Sequence, residues 1–291
     1  MKLTVGMATY DDYDGVYFTV QSLRLHHPEI LDQLEIVVVD NNPQSPHGKD
    51  VENLLKSWVP NSQYLPFTGA VGTSAPRDLV FREARGENVL CVDSHVLLQP
   101  GSLKKYIDFL DENPDCKDIL HGPMMLDSLT DVITHMEPVW RGQMHGIWAK
   151  HKPISSLPKE PIPIPQHGLG IFGCKKDAWL GFNEHFRGFG GEEGYIHQKY
   201  RQAGRSVLCL PFLLWLHRFR RPDGVKYPLT RYNKIRNYVI GRIELDCPYD
   251  DVIKHFKDEK TPEAELDKAV FDAEAISQSD GSQEVELTAQ P

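Results

Sequence analysis

The chain has few cysteines, and they are far apart: Cys91, Cys116, Cys174, Cys209 and Cys247, with no Cys-x-x-Cys pair. An odd, scattered set in mostly apolar surroundings excludes a disulfide framework and reads as buried free thiols in a reducing compartment. Long hydrophobic runs are also missing. The most apolar later stretch, residues 207–216, is interrupted by Pro211 and is too short to cross a bilayer. The opening Lys2-Leu3-Thr4-Val5-Gly6 lacks the apolar region of a signal peptide, so a soluble cytoplasmic protein with no membrane partner is expected. Nor is there an overall excess of positive charge. Of the formal −9, ten Asp or Glu against three Lys in residues 257–291 account for −7, which leaves −2 for residues 1–256. A nearly neutral body does not advertise a nucleic-acid binder. One stretch runs against that balance: residues 218–242 hold eight Lys or Arg and a single Asp. Such a stretch can neutralise a diphosphate, meet a polyanionic acceptor, or simply form a solvated face.

What is present is a succession of buried strands and amphipathic helices. Residues 3–8 read as a first strand and residues 15–27 as a helix with Val16, Val20 and Leu23 on one face. Residues 34–39 form a second strand that ends in Asp40-Asn41-Asn42-Pro43. Strand, helix, strand in this order predicts an α/β fold with parallel pairing, and ligands in such sheets bind beyond the carboxyl ends of the strands. The polar loops Thr9-Tyr10-Asp11 and Asp40-Asn41-Asn42 both lie at that edge. Further on, residues 51–58 suit a helix, residues 62–66 a short strand, and residues 69–74 a loop of small residues around Gly72. That loop feeds a helix over 75–84 with Arg77 just inside it, a suitable place for a phosphate or only a helix start with a solvated arginine.

Residues 88–92 form another apolar strand, and Asp93-Ser94-His95 closes it. Alternate residues of a strand share a face, so Asp93 and His95 point the same way and can offer a carboxylate oxygen and an imidazole nitrogen to one divalent ion. After a helix over 101–112 and strands over 118–126 and 132–136, residues 140–165 lose periodicity and read as a mobile loop over a site. Residues 166–173 are a glycine-rich strand containing Gly168, where a ligand can approach the backbone closely. Residues 175–180 suggest a short helix. Phe189-Gly190-Gly191-Glu192-Glu193 then delivers two carboxylates onto a helix over 194–203, a pattern that simple dipole capping also produces. The last strong apolar segment ends in His217-Arg218-Phe219-Arg220. Beyond a body of residues 1–256, the acidic tail is expected to hold a helix over 261–275 and to be disordered from 277 onward.

The order of Asp93-Ser94-His95, Gly168-Leu169-Gly170-Ile171-Phe172, Phe189-Gly190-Gly191-Glu192-Glu193 and His217-Arg218-Phe219-Arg220 resembles the GT-A glycosyltransferases. The likeness is greatest to the polypeptide N-acetylgalactosaminyltransferase branch and to family 2-like enzymes, and it extends from Leu3 to Arg221. It implies a Rossmann-like mixed sheet with helices on both faces and a single catalytic domain through residue 256. Thr9, Tyr10 and Asp11 would receive the nucleotide, Asp40 its base or ribose, and Gly72, Arg77, Gly168 and Arg218 would lie near the nucleotide-sugar. Asp93, His95 and His217 would hold manganese, or another divalent ion such as magnesium, and Glu192 and Glu193 would face the donor sugar and the acceptor. Glu193 stands where the retaining relatives have Asn, and a carboxylate can deprotonate an acceptor hydroxyl where Asn cannot. The remaining motifs favour retention. The implied donor is a UDP-sugar. The acceptor stays open among glycan, protein and hydroxymethylated pyrimidines in DNA, as does the oligomeric state. A nucleotidyltransferase and a non-catalytic nucleotide-sugar-binding protein are the competing readings.

Overall fold

The computed structural model describes residues 1–220 and 224–288. Strand β1 (Leu3–Thr9), helix α1 (Tyr13–His26) and strand β2 (Leu34–Asp40) form the expected first unit, with Val16, Val20 and Leu23 on the buried side of α1. Helix α2 (Pro46–Trp58) leads to β3 (Ser62–Pro66), and helix α3 (Ser74–Glu83) leads to β4 (Asn88–Asp93). These four strands are mutually parallel in the order β4-β1-β2-β3, because each helix carries the chain back across the sheet before the next strand begins. Their carboxyl ends lie along one edge.

The second half departs from that simple winding. It runs through β5 (Val96–Leu98), α4 (Ser102–Glu112), β6 (Ile119–His121), β7 (Met124–Met125), β8 (Asp131–Ile133), β9 (Met136–Arg141), β10 (Met144–Trp148), β11 (Lys152–Pro153), β12 (Ile162–Pro163) and β13 (Ile171–Lys175). Next come α5 (Glu192–Gln202), β14 (Val207–Cys209), β15 (Trp215–His217), α6 (Arg231–Glu244), α7 (Asp250–Asp258) and α8 (Glu263–Thr288). The main sheet has eight strands in the order β12-β14-β6-β13-β4-β1-β2-β3, with β13 antiparallel to both β4 and β6. A smaller sheet, β11-β8-β7-β15-β5, and the hairpin β9–β10 extend beyond the edge where β4 ends.

Helices cover both faces, as β2 makes plain. Ile36 and Val38 belong to one core with Val16, Leu54 and Leu103, whereas Val37 and Val39 belong to the other with Phe81, Tyr200 and Phe256. A side-chain period of two sends neighbouring residues of a doubly covered strand into opposite cores.

Several segments differ from the sequence expectation, among them residues 166–170, which precede β13 instead of belonging to it. Residues 140–165 contain the β9–β10 hairpin, which turns at Gly142 with positive φ, so part of the supposed loop is regular structure. Residues 175–180 contain only a single 3-10 turn, Lys176–Ala178. Helix α8 runs on through residues 277–288, which had been expected to lack structure, and residues 289–291 lie outside the described residues. Burial of Leu266, Ala269 and Ala273 in the same core as Phe256 explains why the first part of the acidic tail is ordered.

Candidate active site

Strand β4 delivers Asp93 as its last residue, and His95 sits in the tight connection to β5. Strand β15 pairs antiparallel with β5 so that His217 lies opposite Val96, and the Arg218 backbone N–H donates to the His95 carbonyl. That register sets the two imidazoles edge to face, with ring centroids 4.9 Å apart. One ligand atom from each of Asp93, His95 and His217 lies within 4.8 Å of the other two.

Two of the three side chains are held from behind, Asp93 by Arg77 and His95 by Asp12. Arg77, buried at the start of α3, donates Nη2–H to Asp93 Oδ1 at 2.7 Å, and His217 Nε2 lies 3.3 Å from Asp93 Oδ2. Burial by itself would raise the Asp93 pKa, but the Arg77 guanidinium and the neighbouring imidazoles hold it far below the usual carboxylate range. Asp12, the N-cap of α1, accepts from Ser94 Oγ at 2.9 Å and from Gly15 N–H at 3.2 Å, and its Oδ2 lies 3.2 Å from His95 Nδ1. With Nδ1 engaged by a carboxylate, Nε2 is the ring nitrogen that His95 can present to an ion. His217 Nδ1 and Arg77 Nη1 are buried and have no hydrogen-bond partner among the described residues. Buried polar atoms are normally satisfied, so an unpaired guanidinium nitrogen beside three metal-type ligands suits an anion shared with a cation. The residues therefore fit a divalent ion, and a set of two imidazoles and one carboxylate belongs to first-row metals better than to calcium.

A cavity of about 790 Å³ opens beside this cluster. Thr9, Tyr10, Gly72, Arg77, Asp93, His95, Gly168, Glu193 and His217 all line it, so most of the residues picked out in the sequence converge on one space. Four do not reach its wall. Asp40 is fully buried at the end of β2, where its carboxylate accepts from the Asn42 backbone N–H at 2.9 Å and from the Tyr64 hydroxyl at 2.8 Å. Asp40 thus closes its own turn and does not line the cavity where the base or ribose was expected. Its neighbour Asn41 lines the cavity instead, donating to the carbonyls of Phe67 and Ala70 and accepting from Gly72 N–H at 3.0 Å. Asp11 adopts positive φ and meets Lys226 at 3.2 Å. Arg218 is exposed.

Glu192 is the fourth, and the acidic pair divides. Glu192 is fully buried, accepting from Thr73 Oγ1 at 2.5 Å and from Gly190 N–H at 2.7 Å, which ties the glycine turn to the start of α3. Glu193 faces the cavity. Burial, with the Glu192 carboxylate next to it, pushes the Glu193 pKa up to about 8.

The far wall went unseen in the sequence. Met136, Met144, Ile147 and Trp148 from the β9–β10 hairpin, with Phe189, give that side an apolar lining, and Phe219, Val225, Tyr227 and Leu229 contribute from the segment before α6. Two short strands with irregular alternation carry almost no periodic signal, which is why residues 140–148 looked like a loop. Close approach of rings also explains Gly170. A Cβ there would come within 2.6 Å of the Trp215 ring and 3.4 Å of His217. Gly170→Ala is expected to cost roughly 1–3 kcal/mol by overpacking and to weaken ion binding as His217 shifts, as thermal unfolding with and without Mn2+ would show. Equal stability of variant and parent would remove this account of the glycine.

The mixed eight-stranded sheet, with the Asp-His-His cluster at its edge, is a fold shared with solved GT-A glycosyltransferases. Residues 4–141 match the family model described as Glycosyl transferase family 2. Among solved structures, the chain is similar to GalNAc-T7, crystallised with UDP, GalNAc and Mn2+, at a TM-score of 0.68 and 16% identity over 94% of this chain and 54% of that one. It is also similar to residues 1–349 of S. aureus TarS in complex with UDP-GlcNAc, at a TM-score of 0.56 and 18% identity over 87% of this chain and 70% of that one. The chain thus spans about half the length of the GalNAc-T7 structure. No curated protein sequence matches it. No helix among the described residues is long and apolar enough to cross a membrane.

Proposed function

We propose that the chain is a metal-dependent glycosyltransferase that moves a sugar from a UDP-sugar to an acceptor hydroxyl. The observation that carries this reading is the Asp93, His95 and His217 cluster next to the unpartnered Nη1 of Arg77, on the wall that Glu193 shares. Asp93, His95 and His217 would hold manganese, or magnesium in its place, and a bound divalent ion stabilises the negative charge that a departing diphosphate acquires. Arg77 adds a fixed positive charge to the same place, already paid for by its pairing with Asp93. Thr9, whose buried Oγ1 has no partner among the described residues, and Tyr10 line the space where the nucleotide would lie. The UDP in the GalNAc-T7 and TarS structures supports that choice of donor.

Glu193 is the group that can take the acceptor's proton, since Glu192 has both oxygens engaged by the protein. Attack assisted by Glu193 from the face opposite the diphosphate inverts the anomeric centre. Retention, which the motif resemblance favours, would need no base at this position. NMR of the anomeric proton in the first product formed distinguishes the two courses.

For the acceptor, the basic residues 218–242 give less support to DNA than their sequence suggested. Arg236 donates to the His185 carbonyl, Arg242 pairs with Asp251 and Lys226 with Asp11, so these cations are spent on internal contacts.

Thermal unfolding with UDP, UDP-GlcNAc and UDP-GalNAc, each with and without Mn2+, tests the proposal. A ligand at a hundred times its Kd stabilises the folded state by about 2.7 kcal/mol, so a clear rise in Tm is expected only with nucleotide and ion together. Slow release of UDP, and not pyrophosphate, should accompany it. Absence of both effects for every donor would sink the reading.

A further inference from the structure

Three histidines outside the site lie fully buried: His121, His167 and His197, close to β13 and to the turn before it that carries Gly168 and Gly170 of the cavity wall. His121 Nδ1 is 2.9 Å from the Ile171 carbonyl oxygen. A carbonyl can only accept, so this nitrogen bears the proton of the neutral ring and Nε2 is left as a bare acceptor. His197 Nε2 lies 2.9 Å from that acceptor and therefore donates to it. With burial keeping both rings neutral, these contacts place the proton on Nδ1 of His121 and on Nε2 of His197. His167 stacks on His121 with ring centroids 5.0 Å apart, and Trp148 of the cavity wall meets His167 edge-on. Burial favours neutral rings throughout and pushes His197 down to about 3.

The position of His197 gives this chain a purpose. It follows Glu193 by four residues on α5, so the two side chains lie on one helix face a turn apart. Ile171, the other end of the chain, directly follows Gly170. The bond sequence His197, His121, Ile171 thus spans from the helix bearing Glu193 to the strand beside the metal-type ligands. A pair of leucines would fill similar space, but would not fix how far α5 slides along the sheet. We propose that His121 and His197 are positioning residues that hold the first turn of α5 at one height, so that Glu193 meets the acceptor hydroxyl next to the donor sugar. This rests on the glycosyltransferase reading given above.

The full chain carrying His197→Gln or His197→Leu tests it, because the glutamine amide nitrogen reaches the place of imidazole Nε2 and donates as it does, whereas leucine cannot. Mn2+-dependent UDP binding by calorimetry should stay within about twofold of the parent in both, which also shows that both fold. Turnover should fall about tenfold or more in His197→Leu through kcat, as a small misplacement of a reacting group does, and should recover largely in His197→Gln. In parallel, 15N spectra of histidine-labelled parent protein should show one buried ring protonated only at Nδ1 and one only at Nε2. Equal turnover in parent and His197→Leu, or equal loss in both variants, would overturn the proposal, as would any other tautomer pair. If the parent binds no UDP and turns over no donor while the tautomers are as stated, the glycosyltransferase reading fails and the positioning role falls with it. The hydrogen-bonded pair itself would stand.

Discussion

Asp93→Ala is expected to lower metal-dependent donor turnover by about a thousandfold or more, at the upper end of what losing one charge-stabilising group costs an active site. The residue does two things at once, and the experiment has to separate them. It supplies the only carboxylate of the three-residue cluster, and its Oδ1 accepts from the Arg77 guanidinium at 2.7 Å. Alanine therefore leaves a buried arginine without its counter-charge. Breaking a well-buried pair costs about 3–5 kcal/mol, and the Asp93 side chain retains 24% exposure, so a loss at or below the lower figure is expected. Asp93→Asn distinguishes the two roles, since its amide oxygen still accepts from Arg77 but carries no charge for the ion. Mn2+ binding followed by electron paramagnetic resonance should be lost in both variants, with most of the Tm recovered in Asp93→Asn. Retained Mn2+ affinity in Asp93→Ala would mean that the ion site lies elsewhere.

The second large effect concerns Glu193. Its folded-state pKa, near 8, lies above the ordinary value of 4.5, so the native protein holds a proton there that the unfolded chain has already released. The sign follows from linkage. Where the native state binds more protons, stability falls as pH rises, here from about 4.5 up to about 8, and does so because a charge is forced into a buried place. Glu193→Gln should remove that slope and leave the variant more stable than the parent at pH 8. Activity should move the opposite way. A base works only when ionised, so parent turnover should climb as pH passes through the raised pKa, whereas the glutamine variant should be flat and lower by roughly a hundredfold to ten-thousandfold. Thermal unfolding and a pH–rate profile read the two halves separately. A variant as active as the parent would leave Glu193 without a chemical role.

Much of the first half of the chain was legible without coordinates, for a physical reason. Strands covered on both sides, such as residues 34–40 and 88–93, are nearly continuous apolar runs, and the helices between them show one-sided spacing. Asp93 and His95 form a short local pattern at a strand end, whereas His217 joined them only through a motif order that resembles the GT-A glycosyltransferases. What stayed hidden depends on which way one side chain turns. Asp11 and Asp12 are adjacent and chemically alike, yet Asp12 is the one that caps α1 and braces His95, a choice decided by the positive φ of Asp11. In the same way the Asp40 carboxylate folds inward to close its own turn, and the neighbouring Asn41 lines the cavity. Glu192 and Glu193 could not be told apart until Thr73 was seen to engage the first. Pairing partners far away in sequence, above all for the hairpin and β15, leave almost no local trace.

The pairing of β15 with β5 also bears on how the molecule comes together. His217 and Asp93 are 124 residues apart in sequence, and only the docking of that late strand brings them into contact. A growing chain that has just finished β5 carries two of the three residues and no ion site. An ion held by Asp93, His95 and His217 would consequently report long-range assembly, since metal that binds only the completed site favours the state in which the last strand has docked. In refolding, tight Mn2+ binding should therefore appear with the slowest structural phase, set by this distant closure, and not with the early pairing of β1, β2 and β4.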